Sequence, residues 1–92
     1  MPEFLVELHR PEHGWDELQA LGAQARAAAE QVNSKETPIR FLRSIFVPDN
    51  ETCFYLFEAG SIDVVREAAQ RAGLELEHVA EAVPDDVAAD TA

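Results

Sequence analysis

"IRFLRSIFVPDNETCFYLFEA", residues 39–59, is the stretch that decides how this chain folds. Ile39 to Val47 is rich in β-branched and aromatic side chains, which suit a pleated, half-buried surface. Thr52 to Ala59 has the same character. Between them Pro48 to Glu51, "PDNE", is turn chemistry: proline pre-sets φ, and Asp and Asn tolerate tight backbone. Two strands joined by a short turn predict a β-hairpin in the middle of the chain.

The segments on either side of the hairpin read alike. On the N-terminal side "FLVELH" (Phe4 to His9) alternates, with Phe4, Val6 and Leu8 on one face and Leu5, Glu7 and His9 on the other. That is strand periodicity, and Pro11 and Gly14 break it. From Trp15 the period changes to three or four residues: Trp15, Leu18, Gly22, Ala25, Ala29 and Val32 share one face of a helix of about five turns. Asp16 and Glu17 suit its positive N-terminal end, and the small residues let it lie close to a sheet. "NSKETP" (Asn33 to Pro38) stops it.

On the C-terminal side "GSIDVVREAAQRAGL" (Gly60 to Leu74) predicts a second helix. Ser61 is its expected N-cap, and Gly73 its left-handed C-terminal residue. "LEHVAEAV" (Leu76 to Val83) predicts a last, weaker strand. "PDDVAADTA" has no period and three acids, the character of a disordered tail over residues 84–92 behind a domain of residues 1–83. The order β-α-β-β-α-β is the ferredoxin-like α+β plan: a four-stranded antiparallel sheet with both helices on one face.

Charge and size exclude several functions. The chain has 92 residues and a formal net charge of −11, from 18 acids against seven Lys and Arg. Nucleic acid and anionic membranes are not its partners, because phosphate binding needs clustered cations. Cys53 is the only cysteine, so no intrachain disulfide forms, and a reducing cytoplasm is the expected location. "MPEFLVELHR" does not read as a signal peptide, and no apolar run is long enough to span a bilayer.

If helices cover one sheet face, the other should be polar in a monomer. Every strand of the hairpin instead carries large apolar groups on both parities. We expect Leu5, Tyr55 and Phe57, with Leu42 or Phe46, on the uncovered face, and a second copy of the chain covering it as a homodimer. The parity of Arg43, which alternates with Phe41 and Ile45, and that of Glu81, which alternates with Val79 and Val83, stay open.

"VELHRPEHGW" (Val6 to Trp15) gathers the candidate metal ligands. Glu7 and His9 share a strand face, about 6.5–7 Å apart along it, so both can reach one ion. His13 lies past Pro11 in a loop and is a weaker candidate. Glu81 or Cys53 would be a third donor, and a dimer would double the set toward the four to six donors that nickel(II) or copper(II) takes. The plain alternative is a strand-end His9 and a solvated His13. No His-x-x-x-His and no Cys-x-x-Cys occurs. Cys53 beside an apolar run reads as a buried thiol, and His78 as an exposed residue apart from this set.

Four features in order resemble a known family: a first strand with Glu7; Ser44 inside the second strand; an aromatic-rich third strand ending Glu58-Ala59; and "RAGL" (Arg71 to Leu74) leading to Glu81. They are similar to a family of small bacterial nickel-binding, nickel-responsive proteins with a dimeric ferredoxin-like fold, formerly catalogued as a domain of unknown function. The resemblance spans most of Phe4 to Val83. It implies a non-enzymatic homodimer that binds nickel or another divalent transition metal. Two positions depart from the family pattern, which places a histidine beside the Ser and a cysteine in mid-strand, where this chain has Arg43 and Tyr55. A different function also fits the fold: a small dimeric α+β-barrel enzyme with Glu7 as general base in a sheet-face pocket on a small organic molecule.

Overall fold

A computed structural model describes residues 1–9, 14–50, 52–74 and 78–83. The elements run β1 (Glu3–His9), α1 (Trp15–Val32), β2 (Ile39–Val47), a single 3₁₀ turn (Pro48–Asn50), β3 (Thr52–Ala59), α2 (Ile62–Arg71) and β4 (His78–Ala82). The four strands form one sheet in the order β2-β3-β1-β4, with every neighbouring pair antiparallel. This is the ferredoxin-like α+β fold. The expected tail over residues 84–92 lies outside the described residues.

Local chemistry explains where the elements stop. Past Val32 the chain is turned by side chains: Thr37 Oγ1 donates to the Val32 carbonyl at 2.9 Å, and Asn33 Oδ1 accepts from the Ile39 amide at 3.1 Å. The first bond satisfies a carbonyl that the helix end leaves open, and the second ties the start of β2 to the residue after α1. Ser61 sits at the α2 N-cap with extended backbone, but its side chain makes no capping bond. At the other end Gly73 has φ +76°. The Leu74 amide donates to the Ala69 carbonyl and the Gly73 amide to that of Gln70, a Schellman closure, and Leu74 is buried beneath it.

The core lies between the helices and one sheet face. Phe4, Val6 and Leu8 of β1 meet Ile39 and Phe41 of β2 and Cys53, Tyr55 and Phe57 of β3, under the Ala-rich faces of α1 and α2. Phe41 packs edge-on against Phe57, with centroids 5.4 Å apart. The close approach expected from small residues is real at Gly22. A Cβ there would stand 2.8 Å from Ser44 Oγ and 3.3 Å from the Tyr55 ring, so α1 seats on the sheet only because that atom is missing.

Tyr55 and Phe57 are therefore not on the uncovered face. Both are 0% exposed, and the Tyr55 hydroxyl donates to the Leu18 carbonyl of α1 at 2.8 Å. Alternation along β3 shows which residues share a face but not which face meets the helices; pairing with β1 settles that. Val6 lies opposite Tyr55 and Phe4 opposite Phe57, whereas Leu5 lies opposite Leu56. Directly opposed residues share a sheet face, so Leu5 looks out with Leu56 and Phe54. Phe46 is also on the helix side, where it stacks on Trp15 at 5.1 Å.

The parity of Arg43 is resolved by a bulge. Phe41 pairs with Phe57, but the register then shifts so that Arg43 pairs with Leu56 and Ser44 with Tyr55. The extra residue turns Arg43 to the side of Leu56 and keeps its charge out of the core. Glu81 pairs with Phe4, so it belongs to the helix side, but it is exposed because β4 is an edge strand.

Candidate functional site

The sheet face that carries no helix has an apolar centre. Leu5 on β1, Phe54 and Leu56 on β3 and Ile45 on β2 occupy it, and Ile45 is 41% exposed. Charged groups flank them. Arg40 pairs with Glu58 at 3.2 Å on one side. On the other, Glu7 of β1 stands between Phe54 of β3 and His78 of β4, directly opposed to each.

That placement brings together two residues 71 positions apart in sequence, Glu7 and His78. Cross-strand neighbours have Cβ atoms about 4.5–5.5 Å apart, so a carboxylate and an imidazole there can share one ion. Glu7 is half-buried because β1 is central, and His78 is exposed on its edge strand. His9 falls two residues along β1, opposite Thr52, at the position of the same parity as Glu7. His13 lies outside the described residues.

The proposed third donors belong elsewhere. Cys53 pairs with Leu8 and is buried in the core. Burial pushes its thiol up, and the hydrogen bond with Tyr55 offsets only part of this. The neutral thiol is thus favoured, whereas a metal needs the thiolate. Glu81 is on the helix side with Phe4. Among the described residues no three His, Cys, Asp or Glu side chains converge into a metal-sized group. His78 is the residue that sequence reasoning passed over. The signal for it was the apolar match of Val79 with Val6, which fixes the β1–β4 register and carries His78 to Glu7.

Two open clefts lie elsewhere, along the line where α1 meets β2, with volumes of about 400 and 420 Å³. Glu7 lines neither, so the general-base reading has no cavity beside its base among these clefts.

A ferredoxin-like α+β domain with a polar cross-strand pair on its helix-free face is the class that these observations define. The family model described as nickel responsive protein SCO4226-like matches residues 4–82. The chain belongs to that family. Its fold is similar to the crystal structure of SCO4226 from Streptomyces coelicolor A3(2), with a TM-score of 0.71 at 22% identity over 90% of this chain and 98% of that one. No curated protein matches this chain. No helix among the described residues is long and apolar enough to cross a membrane.

Proposed function

We propose that this chain is a small binding protein for a divalent transition metal, nickel foremost, and that it works as a homodimer rather than as an enzyme. The observation that carries the reading is the juxtaposition of Glu7 and His78 across β1 and β4, with His9 two residues along β1. A carboxylate and imidazoles form a nitrogen and oxygen donor set that suits nickel(II) and copper(II). One chain supplies too few donors for a closed site, and a second copy seated on the same face would bring its own set near. The family's description as nickel responsive supports the choice of metal. His13 belongs to the proposal as a further loop donor.

The test is a calorimetric titration of tag-free protein with nickel, copper, zinc and cobalt. Saturable nickel binding well tighter than millimolar is expected. Glu7→Ala, His9→Ala and His78→Ala should each weaken it about tenfold or more, which is about 1.4 kcal/mol. Metal takes the neutral imidazole, so affinity should fall as pH drops and protons compete for the ring nitrogen. Affinity no tighter than millimolar, or three variants that bind like the wild type, would overturn the proposal.

A further inference from the structure

The helix-free face separates its charges by strand. On β2, Arg40 lies opposite Glu58 and Arg43 opposite Leu56. On β1, Glu3 lies opposite Glu58, Leu5 opposite Leu56 and Glu7 opposite Phe54. The cations thus stand on an outer strand and the β1 acids two strands away, about 10 Å across the sheet. The β3 side chains Phe54 and Leu56 lie between them.

Among the described residues, Arg43 and Glu3 lack a counterion on this face. Arg43 is exposed and makes no ion pair with a described residue. Glu3 is half-buried and directly opposes Glu58, a spacing at which like charges repel. Arg40 pairs with Glu58 at 3.2 Å, and no described cation pairs with Glu3. Glu7 differs, because His78 stands opposite it.

A second copy of the chain supplies what each group lacks. In a face-to-face pair, a two-fold axis parallel to the strands keeps every residue at its own level along the sheet and reverses left and right. The level of Arg43, Leu56, Leu5 and Ala80 then meets itself in reverse order. Apolar Leu5 and Leu56 meet at the centre, and Arg43 crosses to the β1–β4 half of the other copy. There it is one alternation from Glu3, about 6.5–7 Å along β1, and small Ala80 leaves room for its side chain. An axis across the strands would instead lay β2 on β2 and β1 on β1, stacking like charges.

We propose that Arg43 of each copy pairs with Glu3 of the other, and that this exchanged pair orients the two chains about an axis along the strands. The inference rests on the homodimer reading above; it requires no metal and leaves Glu7 and His78 free. Symmetry makes the pair twice, once on each side of the apolar centre. Enclosed between two sheets, the pair is screened by salt much less than the overall repulsion between copies.

The test is charge reversal in metal-free protein, with the dimer measured by analytical ultracentrifugation in about 0.15 M salt. Arg43→Glu and Glu3→Arg should each weaken the dimer about tenfold or more, because each sets like charges against one another across the interface. Glu3→Arg should do so although it lowers the net negative charge. An equimolar mixture of the two variants should recover wild-type affinity to within about threefold, since both contacts then join opposite charges. Arg66→Glu, on the exposed side of α2, changes net charge as much as Arg43→Glu and should leave the dimer nearly unchanged. Reversals no more harmful than Arg66→Glu, or a mixture that stays as weak as its components, would overturn the pairing while the dimer itself stands. A wild type that is monomeric throughout would remove both.

Discussion

Tyr55 carries a phenol into the driest layer of the molecule, where its hydroxyl has the Leu18 carbonyl to donate to. Tyr55→Phe keeps the ring and loses that bond, so it should cost about 1 kcal/mol of stability in urea denaturation. Burial first, and then neighbouring Cys53, pushes the phenol up from its ordinary value, and burial also pushes up the Cys53 thiol. Both groups keep their protons longer in the fold than in the unfolded chain. Their stabilisation is whole below the ordinary values, about 8.5 for Cys and 10 for Tyr, and is lost as pH rises through them toward the raised folded values. Wild-type stability should therefore decline from about pH 8.5 upward. Tyr55→Phe should flatten the part of that decline above about pH 10, and an unchanged slope would remove the linkage assigned to Tyr55.

At the scale of elements, each helix and strand was legible, because hydrophobic period is a local property. The closure of α2 was legible too, since Gly73 is a residue free to adopt φ +76°. Gly73→Ala meets open space around its Cβ, so its cost is backbone strain alone, about 1–2 kcal/mol. In a domain of this size that lowers Tm by about 4–16 °C, read by calorimetry. What the sequence did not carry was register. The first-strand half of the proposed metal site, Glu7 with His9, follows from alternation within one strand. His78 joins it only through pairing between chain ends. The same gap misplaced Tyr55 and Phe57: β3 is apolar on both parities, and which parity lies beneath α1 depends on matching Val6 with Tyr55.

For the whole molecule, the helix-free face leaves Leu5, Phe54 and Ile45 partly open around a buried Leu56. In the proposed homodimer these residues replace Tyr55 and Phe57 as the contact. Phe54→Glu should leave the fold intact and yield monomer on a sizing column with light scattering, where the wild type elutes as dimer. Tyr55→Glu would instead unfold the core. Each copy has a net charge of −11, so pairing works against Coulomb repulsion. Raising ionic strength from about 0.01 to 0.15 M shortens the screening length from about 30 to 8 Å and should tighten the dimer. A wild-type monomer at micromolar concentration across that range would sink the assembly.

The bulge in β2 does more than settle the direction of Arg43. β2 is an outer strand of the sheet, nine residues long and rich in Ile, Phe, Leu and Val. A long apolar edge with a regular row of free amides and carbonyls is a template for open-ended fibril growth. The shift between Phe41 and Arg43 breaks that row midway, and exposed Arg43 sets a positive charge beside the break. A strand from another copy that docked in register at Ile39 would be out of register by Ser44. The sheet can thus take a second sheet against its face, while its long edge resists growing into a fibre.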